Sequence, residues 1–145
     1  MPHQSITSLV YVSTARPGLE QADIEGAARA VEAHGFIERM PGGYESEVRE
    51  RGTNLSAGQR QLLSFARALA HGGQILVLDE ATSSIDSETE GMIQRGIHTL
   101  MRGKTAIAIA HRLSTIRDVD RIYVLHHGQL VESGPHEDLL ALGGS

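Results

Sequence analysis

Residues Ile75-Leu76-Val77-Leu78-Asp79-Glu80 place four consecutive aliphatic side chains directly before two carboxylates. Because a half-exposed strand would alternate, this continuous apolar run predicts a central parallel strand that is buried on both faces. Ligands of open α/β sheets bind at the carboxyl ends of the strands, so Asp79 and Glu80 are placed to meet a substrate or a metal. The alternative is that the two acids only solubilise the end of the strand.

The composition is that of one ordinary globular domain. The chain has 145 residues, of which 40% are hydrophobic and 21% charged, and its formal net charge is −5. It therefore lacks the basic excess of a protein that binds nucleic acid or an anionic membrane surface. The chain contains no cysteine, which excludes disulfides and thiolate metal sites and favours a reducing compartment, the cytoplasm. No apolar run approaches the ~20 residues of a membrane-spanning helix.

Helical and strand patterns alternate along the chain. Ser56 and Gln59 form a Ser-x-x-Gln capping box that starts a helix, and this helix ends at His71 before two glycines. The other patterns predict helices over 21–33, 86–102 and 136–142, and strands over 9–12, 105–110, 122–125 and 130–131. This order predicts an α/β fold with right-handed crossovers and a mostly parallel sheet flanked by helices.

Four short motifs follow one another in the order and spacing of the ATP-binding cassette (ABC) family. They are Leu55-Ser56-Ala57-Gly58-Gln59, the strand Ile75–Glu80, Ser83-Ser84-Ile85-Asp86 and His111, which resemble the signature motif, the Walker B strand, the D-loop and the switch histidine. The longer stretches 54–61, 78–83, 110–116 and 131–134 resemble the exporter branch of this family. The resemblance runs from about residue 21 to the C-terminus.

The resemblance implies a partial P-loop NTPase fold that binds ATP and Mg²⁺ and hydrolyses ATP to power transmembrane transport. Asp79 would hold Mg²⁺, directly or through water, since a hard cation prefers oxygen ligands. Glu80 would be the general base that polarises the attacking water, and His111 would hydrogen-bond the γ-phosphate and that water. Taken alone, a histidine at the end of a strand is more often a capped surface residue.

The resemblance also implies a partner for the signature-like segment. In this family two nucleotide-binding domains pack head to tail with ATP between them. The residues that would contact the nucleotide of the opposite domain, or lie along the same interface, are Ser56, Ala57, Gly58, Gln59 and Asp86. The physical basis is that the free amides and the dipole at a helix N-terminus attract phosphate. The simpler interpretation is a well-capped helix start.

The chain departs from the family pattern in three places. Ala57 stands where a glycine is commoner, and Arg49 stands where glycine is usual in the exporter segment 46–52 that senses the transmembrane domain. The phosphate loop Gly-x-x-x-x-Gly-Lys-Ser/Thr occurs nowhere in the chain. We therefore expect a poorly defined segment over 1–20, a helical signature subdomain over 21–71 and the C-terminal part of an ATPase core over 72–145. Without the strand that carries that loop, the strand at 75–78 would lack one neighbour, which favours self-association.

Three hypotheses follow for the function. The first is an incomplete ATP-hydrolysing domain of an exporter-type ABC transporter, paired with a second nucleotide-binding domain and held at the cytoplasmic side of the membrane by a transmembrane domain. The second is a non-catalytic truncated fragment that at most docks on an intact nucleotide-binding domain. The third is an ABC-type ATPase of chromosome maintenance or DNA repair. The chain has neither coiled-coil heptads nor a basic face, so no nucleic-acid partner is expected.

Overall fold

The computed structural model of the chain describes residues 6–7, 18–49, 52–79, 85–109, 115 and 117–141, with the backbone alone at 6–7. The chain divides into two compact units, one within Met1–Leu78 and Thr82–Ile107 and the other within Asp79–Ala81 and Ala108–Ser145. The strand predicted over 9–12 lies outside the described residues. Within the described ranges, no helix is long and apolar enough to cross a membrane.

The first unit is mainly helical. Its helices are α1 (Gln21–Ala30), α2 (His34–Arg39), α3 (Ala57–His71) and α4 (Ser87–Met101), with a short 3-10 helix at Gly43–Glu45. Strands β1 (Ile6–Thr7) and β2 (Glu47–Val48) pair antiparallel, and β3 (Ile75–Asp79) is the neighbour of β4 (Thr105–Ile109). This combination of helices and small sheets confirms the predicted α/β class.

Helix α3 packs against both α1 and α4 and carries the centre of the hydrophobic core. Its apolar residues recur at helical spacing, so they come to lie on one face of the helix. The large side chains that are almost completely buried in this unit are Ile24, Val31, Ile37, Leu62, Leu63, Ile93 and Leu100. Burial of each such side chain contributes about 1.5–3 kcal/mol, so packing rather than helix propensity holds these helices in place.

The ends of α3 and the start of α4 are those that the sequence predicts. At the beginning of α3, the side chains of Ser56 and Gln59 each accept the backbone N–H of the other residue. At its end, Gly72 adopts the left-handed conformation with a φ of 73°. The helix predicted over 86–102 is α4, which is N-capped by Asp86.

The region after α1 differs from the prediction of one helix over 21–33. The chain leaves the helical conformation at Glu32, which has a φ of 62°. A second helix, α2, then begins and includes Gly35, the glycine expected to mark the end of the first helix. Phe36 and Ile37 join the core, and their burial outweighs the cost of about 1 kcal/mol for glycine within a helix.

Strand β3 is not buried on both faces, so that prediction is wrong. Ile75 is 70% exposed and Val77 is 68% exposed, whereas Leu76 between them belongs to the core. Strand β4 also alternates, with Ile107 and Ile109 more than half exposed. Because successive side chains of a strand point to opposite faces, the helical core covers one face of β3 and leaves the other apolar face open.

The second unit contains a β-hairpin followed by a short helix. Strands β5 (Ile122–His126) and β6 (Gln129–Gly134) pair antiparallel, with His126 opposite Gln129 at the turn. The two linking residues, His127 and Gly128, have φ values of 47° and 78°, as a tight two-residue hairpin turn requires. Helix α5 (His136–Ala141) packs against β6. The predicted sequence of strand, turn, strand and helix is thereby confirmed.

A two-point ion pair joins the turn after α1 to helix α4. Arg95 Nη2 donates to Glu32 Oε2 at 2.8 Å, and Arg95 Nε donates to Glu32 Oε1. The hydrogen bonds from Arg95 hold the pKa of the Glu32 carboxyl below its usual range. The side chains of Glu32 and Arg95 are 35% and 61% exposed, so solvent screening keeps the stabilisation by this pair small.

We expect the contribution of this ion pair to disappear in acid. Because the folded-state pKa of Glu32 is lowered, the pair stabilises the fold above the ordinary glutamate pKa of about 4.5. This stabilisation is lost as the pH falls through the lower folded-state pKa. Glu32→Gln should therefore lower the urea unfolding midpoint at neutral pH and match the unchanged chain in strong acid.

The matched control for this pH dependence is Glu45→Gln. Glu45 is exposed and has no ion pair among the described residues. Its substitution should give an unfolding midpoint that follows the unchanged chain at every pH. A Glu32→Gln variant that is destabilised equally at neutral and strongly acidic pH would contradict the role given to the ion pair.

We also expect the purified chain to self-associate through the open face of β3. Replacing Ile75 and Val77 together by threonine keeps β-branched side chains but removes apolar surface, and each change should weaken association by about 1 kcal/mol. Sedimentation velocity should then show a dissociation constant raised by about tenfold or more. Leu140→Thr alters another exposed aliphatic residue, 66% exposed, and should leave association unchanged. If the chain without substitutions sediments as a single monomeric species, this prediction is contradicted.

Candidate functional site

The signature-like segment lies at the start of α3 and is closed by the capping box. Ser56 Oγ accepts the N–H of Gln59 at 3.1 Å, and Gln59 Oε1 accepts the N–H of Ser56 at 2.9 Å. Within the described residues the Ser56 hydroxyl acts only as an acceptor, so its hydrogen remains available. Ser56 is exposed, and a ligand oxygen can therefore reach this hydrogen.

The residues that follow Ser56 differ in their exposure. Ala57 and Gly58 occupy the first two helical positions, where a backbone N–H has no partner inside the helix. Ala57 is exposed, Gln59 is half-buried and Gly58 is buried. The exposed residues of this helix start are therefore Ser56 and Ala57.

Asn54 links the residues before α3 to strand β2. Its side-chain Nδ2 donates to the carbonyl oxygen of Glu47 at 2.7 Å, and its Oδ1 accepts the N–H of Arg49 at 3.0 Å. Both polar groups of the amide are thus bound to segment 46–52, for which the sequence predicts contact with a transmembrane domain.

Arg60 supports the same loop from the first turn of α3. Its Nη1 donates to the carbonyl oxygens of Leu55 at 2.7 Å and of Gly52 at 3.3 Å. Gly52 has a φ of 65°, and a Cβ placed there would lie 2.9 Å from Arg60 Cδ. A side chain at this position would therefore be strained by the backbone conformation and would press against Arg60.

Asp86 is the N-cap of α4 and is exposed. Its Oδ1 accepts the N–H of Thr89 at 2.9 Å, and the Thr89 hydroxyl donates to the same carboxylate. These hydrogen bonds from Thr89 hold the pKa of Asp86 below its usual range, so the carboxylate is charged at neutral pH. The cap is observed directly, whereas the predicted role at a domain interface stays a prediction.

Gly58 is packed against the first turn of α4. A Cβ added to Gly58 would overlap Thr89 Cγ2 and would lie 3.6 Å from Ile85 Cγ2. A side chain at position 58 would therefore require Thr89 to move. Through Thr89, the structure brings the signature-like segment together with Asp86.

The remaining predicted site residues are Asp79, Glu80 and His111. Asp79 ends β3 and is exposed, whereas Glu80 and His111 lie outside the described residues. The part of the chain that the structure describes contains no group of three or more His, Asp or Glu side chains able to hold a metal ion. A single carboxylate is nevertheless compatible with Mg²⁺, which proteins usually bind through one or two carboxylates, waters and substrate phosphates.

No sequence motif assigns an individual role to Asn54, Arg60 or Thr89. The hydrogen bond between Asp86 and Thr89 could be predicted from the sequence, because an N-cap aspartate accepts the backbone N–H of the residue three positions later. The contacts of Asn54 and Arg60, and the contact of Thr89 with Gly58, could not. Asn54 and Arg60 bind mainly backbone groups, which every sequence presents, and Thr89 meets Gly58 only through the packing of α3 on α4.

Comparisons with known proteins match nearly the whole chain. A sequence profile of the family described as "ABC transporter" matches residues 2–83. The chain is 54% identical over 138 residues to the uncharacterized ABC transporter ATP-binding protein YknV of Bacillus subtilis, covering 95% of this chain and 23% of that protein. It is 53% identical over 127 residues to an ATP-dependent lipid A-core flippase of Syntrophus aciditrophicus, covering 88% of this chain and 21% of that protein.

The similarity extends to a solved structure, that of a bacterial Atm1-family ABC exporter with ATP bound. The two share 40% sequence identity with a TM-score of 0.83, and the match covers 99% of this chain and 26% of the exporter chain. The chain therefore spans about a quarter of the length of the relatives that it matches.

We expect Asn54→Ala to loosen the connection between β2 and α3. The loss of two hydrogen bonds to backbone groups should cost about 1–3 kcal/mol. It should also accelerate hydrogen exchange of the Arg49 amide. Asn54→Asp keeps the acceptor oxygen and loses the donor, so it should protect that amide as the unchanged chain does. Equal exchange at Arg49 in Asn54→Ala and the unchanged chain would refute the proposed link.

Proposed function

Because this chain belongs to the ABC transporter family, we propose that it is the nucleotide-binding part of an exporter-type transporter and presents the start of α3 to ATP held by a second domain. The family match and the named relatives confirm the predicted family and its exporter character. Proteins of this family bind ATP with Mg²⁺ and hydrolyse it. The chain covers about a quarter of its relatives, so the activity and partners of the whole protein are part of this proposal.

The observation that carries the proposal is the available hydrogen of the Ser56 hydroxyl. The Gln59 N–H donates to a lone pair of the Ser56 hydroxyl oxygen. A phosphate oxygen can therefore accept the hydrogen of the Ser56 hydroxyl without disturbing the capping box. The next residue, Ala57, is exposed, its backbone N–H has no partner inside the helix, and the helix dipole favours negative charge at this end. Hydrogen bonds to a charged phosphate are roughly twice as strong as those between neutral groups.

In this proposal, Glu80 and His111 are the residues that would take part in ATP hydrolysis. Transfer of a phosphoryl group to water depends mainly on positioning and on stabilising charge around the γ-phosphate. Glu80, which directly follows β3, would accept a proton from the attacking water, and His111 would hydrogen-bond the γ-phosphate. Asp79 would hold Mg²⁺, and the bound ion supplies charge neutralisation for the phosphates. The family match covers Asp79 and Glu80, and the role of His111 is supported by the resemblance of residues 110–116 to the exporter branch.

The alternative is a non-catalytic segment that at most docks on an intact nucleotide-binding domain. It is favoured by the sequence, because these 145 residues contain no Gly-x-x-x-x-Gly-Lys-Ser/Thr loop to hold the phosphates of ATP. The start of α3 does not depend on such a loop in the same chain, since it would act on nucleotide held by the opposite domain. The two proposals therefore differ in whether Ser56 affects ATP turnover.

Segment 46–52 is the proposed contact with a transmembrane domain, which would hold the chain at the cytoplasmic face of a membrane. Glu47 is exposed, and the backbone of this segment is bound to Asn54. These two features support a route from a membrane partner to the signature-like segment. Arg49, in place of the usual glycine, adds a positive charge to this surface.

The test is complementation of a partner domain whose own signature is disabled. The nucleotide-binding domain of YknV, in which the residue that aligns with Ser56 is changed to disable its signature segment, is mixed with this chain and Mg-ATP turnover is measured. We expect the chain to restore turnover. Ser56→Ala should reduce the restored rate by about tenfold or more, because a hydrogen bond to a charged group is worth about 1.5–3 kcal/mol. The chain alone should not hydrolyse ATP.

Two further variants separate the phosphate contact from the helix cap. Ser56→Asp keeps a good N-cap but places a negative charge against the phosphate, so it should preserve the thermal unfolding midpoint and abolish restored turnover. Ser64→Ala changes an exposed serine on the same helix, which donates only to the Arg60 carbonyl oxygen, and should restore turnover normally. No turnover at any mixing ratio would support the non-catalytic alternative.

A further inference from the structure

Thr89 contacts two predicted site elements through two different groups. Its hydroxyl donates to the carboxylate of Asp86, which also accepts the N–H of Thr89 at 2.9 Å. Its methyl carbon, Cγ2, faces Gly58 so closely that no Cβ could be added there. The proposed function gives Thr89 no role, although this residue approaches Gly58 more closely than its neighbour Ile85 does.

The stereochemistry of threonine makes this connection stiff. The hydroxyl and the methyl group are attached to the same Cβ, and a β-branched side chain in a helix has few accessible χ1 rotamers. A rotation that moved the methyl group away from Gly58 would also move the hydroxyl away from Asp86. The positions of Gly58 and Asp86 are therefore coupled.

The two elements on either side of the Gly58–Thr89 contact are each held in place by other interactions. Helix α4 is fixed to the core by Ile93, Ile97 and Leu100, so its first turn cannot easily withdraw from α3. On the other side of the contact, the capping box holds the backbone of α3 from Ser56 to Gln59. Thr89 thus lies between two elements that are each anchored independently.

We infer that Thr89 is a positioning residue, which sets the start of α3 relative to Asp86 so that the Ser56 hydroxyl and the Asp86 carboxylate meet a partner domain as one rigid unit. The consequence for turnover rests on the proposed function. The mechanical consequence does not, because it concerns only contacts within this chain.

Thr89→Ser isolates the methyl contact, since serine keeps the hydroxyl and the cap. The start of α3 should become more mobile, and hydrogen exchange of the peptide covering residues 56–60 should accelerate by about two- to tenfold. Thr99→Ser is the matched control, because Thr99 lies on the same helix and donates only to the Arg95 carbonyl oxygen. Equal exchange in the two serine variants would overturn the inference.

A double-variant cycle tests the direct contact between the two residues. Gly58→Ala should lower the thermal unfolding midpoint, because its Cβ would overlap the Thr89 methyl group. Combining Gly58→Ala with Thr89→Ser removes this overlap and should recover most of the lost midpoint. Effects that simply add in the double variant would also overturn the inference, since residues in contact are expected to couple.

The complementation assay with the YknV domain tests the consequence for turnover. Thr89→Ser should raise the KM for ATP by about two- to tenfold with a smaller change in kcat, because the phosphate contact is loosened while the reacting groups are unchanged. A loss of stability alone would lower the active fraction, and hence the apparent kcat, and leave the KM unchanged.

The outcomes distinguish this inference from the proposed function. If the unchanged chain restores no turnover, the proposed function fails, while the exchange and unfolding measurements still decide whether Thr89 positions the start of α3. If the unchanged chain restores turnover and Thr89→Ser has the KM of Thr99→Ser, the proposed function stands and the positioning role is refuted.

Discussion

The burial of α3 between α1 and α4 is the interaction on which the candidate site depends. Leu62, Leu63, Phe65 and Ala66 fix the rotation of this helix about its own axis because their common face must meet the core. That rotation leaves Ser56 at the surface and directs Gly58 against α4. The site residues make few apolar contacts of their own. Their geometry follows from a hydrophobic face that begins one turn further along the helix.

A set of short-range hydrogen bonds then makes the helix start rigid. The capping box closes it, Arg60 holds the loop before it, and Asn54 ties that loop to β2. None of these bonds uses the hydrogen of the Ser56 hydroxyl. An anion could therefore bind without first breaking an internal interaction, which is the condition under which fixed dipoles stabilise charge most effectively.

Local features of this chain could be predicted from the sequence, and features that depend on distant neighbours could not. Ser56, Gln59, Gly72 and Asp86 were predictable because helix caps depend on residues within a few positions. The open face of β3 was not, because an apolar run indicates a strand but does not reveal which of its faces other elements cover. Helix α2 was missed since burial of Phe36 overrides the local preference of Gly35. The contact of Thr89 with Gly58 depends on how α3 packs against α4, and the sequence pattern of each helix does not reveal which residues of the two helices meet.

The contact between Gly58 and Thr89 also constrains the order in which this segment can change during evolution. A lineage that acquires a side chain at position 58 first passes through an overcrowded intermediate if threonine is still present at position 89. The reverse order, a smaller residue at position 89 followed by a larger one at position 58, avoids that intermediate. In related sequences, the change to a smaller residue at position 89 should therefore precede the gain of a side chain at position 58, because the first change makes room for the second.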